Sequence, residues 1–103
     1  MDIEIFKRYC SEGKILWSKH ALERLQERDI SVDDVKNCIM TGEIIEEYPN
    51  DFPHPSALIF GYNSAEKVIH AVCGFDENLL YLVTAYIPTT AKFFEDLKTR
   101  RQR

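Results

Sequence analysis

Three basic residues, His20, Arg24 and Arg28, follow one another at spacings of four. On a helix each such step turns by about 40°, so the three fan over roughly 80° of one surface. Ala21, Leu22 and Leu25 lie farther round and form the expected buried stripe. The basic residues therefore line its edge, where a helix meets a sheet, and Glu27 shares their face. A histidine exchanges protons near neutral pH, and two guanidiniums hold a phosphate through paired hydrogen bonds. Cleavage of a phosphodiester uses such a set: one proton-transfer group, and fixed positive charge where negative charge builds up. The same spacing also suits a solvated helix face, with Arg24 and Arg28 paired to Glu23, Glu27 or Asp29 and His20 capping or packing.

Farther along, Val68, His70 and Val72 alternate onto one face of an extended segment, and Leu80, Leu82, Thr84 and Tyr86 do so on the next. A histidine and two hydroxyls on otherwise apolar strands need partners in the core or a wet cleft. His54, between Pro53 and Pro55, is expected to be exposed in a loop. No histidine pair has metal-ligand spacing, and there is no Gly-rich phosphate loop or nucleophile elbow. Neither metal nor cofactor is expected.

The elements that position these residues are read from periodicity. Ile3, Phe6, Tyr9 and Cys10 give a short first helix ended by Gly13, and Lys14 to Trp17 is an extended link. Ser18 caps a second helix from about Lys19 to Arg28, followed by a break at Ile30-Ser31. Ser31 with Asp34 resembles a capping box for a third helix carrying Val32, Val35, Ile39 and Met40, closed by a left-handed Gly42. Glu43 to Tyr48, Ala57 to Tyr62, Val68 to Phe75 and Leu79 to Ile87 then read as strands separated by turn chemistry. Short connections imply antiparallel hairpins. Pro88 stops the last strand, and Thr89-Thr90 opens a final helix through Phe93, Phe94 and Leu97. The expected class is α+β: three N-terminal helices packed on a four-stranded antiparallel sheet, with a C-terminal helix.

A chain of 103 residues is the size of one domain, and 45% hydrophobic content suffices for one core. Met1-Asp2-Ile3-Glu4 lacks the basic start of a secretory signal, and the longest apolar run, Leu79 to Ile87, is about half a membrane span. Cys10, Cys38 and Cys73 are odd in number and form no Cys-x-x-Cys pair, so they are expected as small apolar residues in a reducing, cytoplasmic setting. The net charge of −4 is uneven. Lys98, Arg100, Arg101 and Arg103 leave residues 1–97 with 9 basic against 17 acidic side chains, or −8. An acidic body draws no nucleic acid by long-range field, whereas the basic tail suits local contact with RNA or a favourable helix end.

Ser18-Lys19-His20-Ala21-Leu22-Glu23-Arg24-Leu25-Gln26-Glu27-Arg28 resembles the His-Ala-x-x-Arg-x-x-x-Arg signature of a prokaryotic domain-of-unknown-function family. Further similar stretches are Gly42 to Pro49, Pro55-Ser56, Thr84-Ala85-Tyr86-Ile87-Pro88 and Phe94 to Arg101. The resemblance implies a neighbour of zinc-finger, helix-turn-helix type, as in MqsA-like antitoxins. It also implies the RelE-, barnase- and colicin-like ribonuclease fold, and so a metal-independent endoribonuclease toxin with RNA and an antitoxin as partners. It places the basic set on His20, Arg24 and Arg28, and its Thr-x-Tyr piece on Thr84 and Tyr86. In that reading His20 transfers protons, Arg24 and Arg28 stabilise the phosphate, Tyr86 assists, and Thr84, His70, Arg100 and Arg101 bind substrate. The rival expectation is a non-catalytic interaction module, or a degenerate toxin keeping only the fold and partner contact.

Overall fold

The computed structural model describes residues 1–102; Arg103, the last of the tail cations, lies outside the described residues. The chain runs α1 (Ile3–Ser11), β1 (Ile15–Trp17), α2 (Lys19–Glu27), α3 (Val32–Thr41), β2 (Glu43–Tyr48), β3 (Ser56–Tyr62), β4 (Val68–Phe75) and β5 (Leu80–Tyr86). The strands form one sheet in the order β1-β5-β4-β3-β2. Strands β2 to β5 are antiparallel neighbours, and β1 lies parallel to β5, with Leu16 beside Tyr81. The α+β class stands, but the expected four-stranded antiparallel sheet is a five-stranded mixed one, and the RelE- and barnase-like description fails with it. The segment read as a link is β1. Three residues are too few to show an alternation, and a parallel partner some 65 positions away leaves no turn signature.

Local chemistry sets the helices. Ser18 accepts the Ala21 N–H at the start of α2, and Ser31 and Asp34 exchange hydrogen bonds as a full capping box on α3. Gly13 leaves α1 with a φ of 72°. Gly42 is not left-handed but extended, with φ −93°. Its missing side chain matters for another reason: a Cβ there would stand 2.5 Å from the Cys38 carbonyl oxygen. At Gly61 the same atom would stand 2.0 Å away, so α3 lies nearly backbone-to-backbone on β3.

One face of the sheet receives the helices. Phe6, Leu25, Val35 and Ile39 pack there with Ile59, Ile69, Ala71, Leu80 and Leu82, all buried. Cys10, Cys38 and Cys73 are buried and free in the same core. Leu22, expected in the stripe, is exposed because it lies on the flank of α2. Among the described residues no helix is long and apolar enough to cross a membrane.

A bulge in β5 changes which side chains share a face. Cys73 opposes Leu82 and Val72 opposes Thr84, leaving Val83 as the extra residue. Leu80 and Leu82 therefore point into the helix-side core, whereas Thr84 and Tyr86 point to the opposite face beside Val72 and His70. A strict alternation, which would have put all four on one face, is broken there, and Val83 is exposed.

Among the described residues no helix follows β5. Thr89 accepts the N–H groups of Lys92 and Phe93 in a single turn, and the chain then folds back as a strap, residues 88–102. Phe93 and Arg100 face each other as an antiparallel bridge. Asp96 makes the return: its carboxylate accepts the N–H groups of Lys98 and Thr99 at 2.9 Å and the Thr99 hydroxyl at 2.7 Å. Those bonds hold its carboxyl down to about 2. Leu97 is left-handed at φ 58°. The helical spacing of Phe93, Phe94 and Leu97 is thus overridden by an aspartate-centred turn.

Candidate functional site

Strand β1 ends at Trp17, opposite Leu82, so beyond that point no strand among the described residues lies on the outer side of β5. Arg28, the C-cap of α2, covers this edge. Its Nη1 donates to the Ala85 carbonyl and to Thr84 Oγ1, each at 2.8 Å. The strand's open carbonyl is satisfied, and the guanidinium is fixed without a carboxylate.

Next along β5, Tyr86 faces His70 across the β4 pairing. His70 Nε2 stands 2.6 Å from the Leu97 carbonyl oxygen. A carbonyl only accepts, so Nε2 carries the hydrogen and Nδ1 the lone pair. Tyr86 Oη, 3.2 Å from Nδ1, then donates. His70 is wholly buried, with Phe93 edge-on at 4.7 Å. Burial pushes its pKa below the ordinary value, against the Leu97 carbonyl and Glu46, which raise it; the Arg100 charge lowers it further. Burial likewise pushes the Tyr86 phenol up, so it stays protonated.

The strap is held on this sheet face by its own cations. Arg100 Nε and Nη2 reach the two oxygens of Glu46, each at 3.0 Å, and its guanidinium stacks over Phe93. Lys98 pairs with Glu43 at 3.3 Å and lies over the Phe60 ring. Burial alone would raise the Glu46 carboxyl, but hydrogen bonds from Arg100 and Tyr48 hold it below its ordinary value. Arg101 Nε donates to the carbonyls of Thr90 and Phe93.

Between α2, the end of β5 and the strap lies a cleft of about 350 Å³, lined by Arg28, Tyr86, Thr89, Lys92, Phe93 and Arg100 among others. Glu46 neutralises Arg100. Neither Arg28 nor Lys92 has a carboxylate within 4.0 Å among the described residues. Two uncompensated cations from different elements, with a phenol and a hydroxyl beside them, suit an anion with hydrogen-bonding oxygens. A larger hollow of about 570 Å³, at Asn37, Thr41 and Tyr62, contains no cation.

The structure thus brings Arg28, Thr84, Tyr86 and Arg100 together, with His70 behind Tyr86. His20 and Arg24 are exposed on α2, Arg24 Nε 3.5 Å from His20 Nε2, and neither lines the cleft. Neither Arg24 nor Arg28 pairs with Glu23, Glu27 or Asp29; Glu23 lies 4.0 Å from Lys19 instead. Arg101 borders a neighbouring hollow with Lys92 and Arg100. His54 is half-buried, stacked on Tyr81 at 4.4 Å. Lys92 and Thr89 were not legible as site residues, because the strap carrying them reads as a helix.

A family model described as a domain of unknown function (DUF4258) matches residues 17–87, well over half of the chain. The chain belongs to that family. The DUF4258 match spans α2 to β5, so it includes Arg28, His70, Thr84 and Tyr86. Lys92, Phe93 and Arg100, which form the strap's side of the cleft, lie beyond the matched residues. No curated protein and no solved structure matches the chain.

Proposed function

We propose that this DUF4258 chain is a toxin-type, metal-independent endoribonuclease whose cleft holds the RNA phosphate. The observation that supports it is the pair of uncompensated cations, Arg28 and Lys92, bordering one cleft with the Tyr86 phenol. In the reaction the ribose 2′-oxygen bonds to the adjacent phosphorus and loses its proton, while the P–O5′ bond breaks and the leaving oxygen gains a proton. A 2′,3′-cyclic phosphate and a 5′-hydroxyl result. Arg28, already fixed by Thr84 and Ala85, stabilises the charge that builds on phosphorus without reorganising. Tyr86 borders the phosphate and assists proton transfer there. His20 and Arg24, which stand outside the cleft on α2, contact RNA running along the helix edge, His20 as the proton-transfer candidate of that edge. The antitoxin partner of zinc-finger, helix-turn-helix type rests on the sequence resemblance alone.

The test is RNA cleavage by wild type, Arg28→Ala and Tyr86→Phe in the presence of EDTA, on free RNA and on ribosome-bound message. Wild type should cut in EDTA, and Arg28→Ala should lose on the order of 10²–10³ in rate. An inert wild type in both formats sinks the reading. A second reading, an RNA- or protein-binding module without cleavage, is favoured by the position of His20 and Arg24 outside the cleft. It predicts binding that Arg28→Ala weakens, with no product.

A further inference from the structure

We infer that His70 is a positioning residue that sets both sides of the cleft at once, holding Tyr86 of β5 with one ring nitrogen and the strap with the other. Its importance for RNA cleavage rests on the reading of the cleft given above; its role in the cleft's geometry does not. The sheet face around it is aromatic and aliphatic, with Phe60 and Phe93 against the ring, so an apolar side chain of similar size would fill the space. What an apolar residue would not supply is two directional bonds to two separate elements. Nδ1 accepts from Tyr86, and Nε2 donates to Leu97.

The strap's geometry points the same way. Leu97 sits in the left-handed region at φ 58°, an unfavourable place for a branched residue, and its carbonyl is the one His70 holds. The ring is enclosed by Tyr86 from β5, Phe60 from β3 and Phe93 from the strap. The charges acting on it are Glu46 of β2 and Arg100 of the strap. Loss of the Nδ1 acceptor frees the Tyr86 hydroxyl to turn. Loss of the Nε2 donor frees the Asp96–Leu97 return that joins the two arms of the strap, which carry Lys92 and Arg100 to the cleft.

The two amide replacements separate these bonds, because Asn presents its amide near the Nδ1 position and Gln near the Nε2 position. Imidazole ¹⁵N spectra of the full chain should show His70 as the Nε2–H tautomer. In His70→Asn, amides of residues 89–101 should exchange about fivefold to a hundredfold faster, as for one lost buried hydrogen bond. In His70→Gln the strap should keep its wild-type protection. In RNA cleavage the Asn variant should raise KM through the loosened Lys92. The Gln variant should lower kcat, matching Tyr86→Phe, whose strap should exchange as in wild type. An Nδ1–H tautomer, or equal strap exchange in the Asn and Gln variants, overturns the assignment. If wild type does not cut RNA, the tautomer and exchange pattern still decide it, and only the ribonuclease reading falls.

Discussion

Arg100 meets Glu46 end-on, two guanidinium nitrogens each 3.0 Å from a different carboxylate oxygen, and this pair fastens the strap to the edge strand β2. Glu46 is mostly covered, but Arg100 is about half exposed, so solvent screens the pair. Glu46→Gln should cost about 1 kcal/mol and lower the melting temperature by a few degrees. The larger effect should be local, with faster exchange of strap amides while α3 and β3 keep their protection. Uniform loss of protection would refute a strap-specific role.

The helix edge is tested separately from the cleft. His20→Ala should reduce RNA cleavage by a factor of about 10² to 10⁴ if it transfers a proton. Arg24→Ala should cost on the order of 10² to 10³. Both side chains are exposed and neither pairs with a carboxylate among the described residues, so melting temperatures should stay near wild type. Fully active variants would confine the chemistry to Arg28, Tyr86 and Lys92.

Stability should fall as pH drops through the histidine range. Burial depresses the folded pKa of His70 below 6.5, so the unfolded chain binds the proton more readily. The stability that neutral His70 contributes is complete above about 6.5 and is lost as pH falls toward the folded value. Melting temperatures of wild type and His70→Gln, scanned between pH 8 and 5 by about half-units, should show the steeper decline in wild type. Parallel curves would remove His70 as the cause.

Gly61→Ala should be severely destabilising. Its Cβ would stand 2.0 Å from the Cys38 carbonyl oxygen, and backbone cannot yield as a flexible side chain does. A loss of about 1–3 kcal/mol or more is expected in urea unfolding. A neutral result would refute the close approach of α3 to β3.

The three cysteines should be inert until the chain unfolds. Burial pushes the Cys38 thiol up to about 12, raises Cys73 well above its ordinary value and raises Cys10, so little thiolate forms at neutral pH. A colourimetric disulfide reagent should react slowly with native protein and promptly with three thiols in denaturant. Prompt native reaction of one thiol would expose it as accessible.

The sequence made some of this legible and hid the rest for identifiable reasons. Caps at Ser18 and Ser31 and the strands Glu43–Tyr48 and Val68–Phe75 were readable because local hydrogen bonding and alternation specify them. Strand β1 was hidden because its partner is distant, and the bulge at Val83 because one inserted residue leaves no compositional mark. That bulge decides which side Thr84 and Tyr86 serve. The strap reads as a helix because Phe93, Phe94 and Leu97 have helical spacing, while Asp96 works through bonds that periodicity does not register. Arg28 was readable as a site candidate from its spacing on α2, and Lys92 was not.

The parallel pairing of β1 with β5 sets an order of events for a chain made from its N-terminus. Ile15–Trp17 has no partner in the sheet until Leu80–Leu82 is available, so everything between them must be drawn into one large closed loop. Such distant contacts form slowly, after hairpins such as β3–β4 have paired locally. Arg28 needs the end of β5 before its Nη1 finds Thr84 and Ala85, and the strap emerges later still. The cleft therefore matures after the hairpins on which it is built. On a translating ribosome, a nascent chain would carry a folded hairpin well before it carried a competent site.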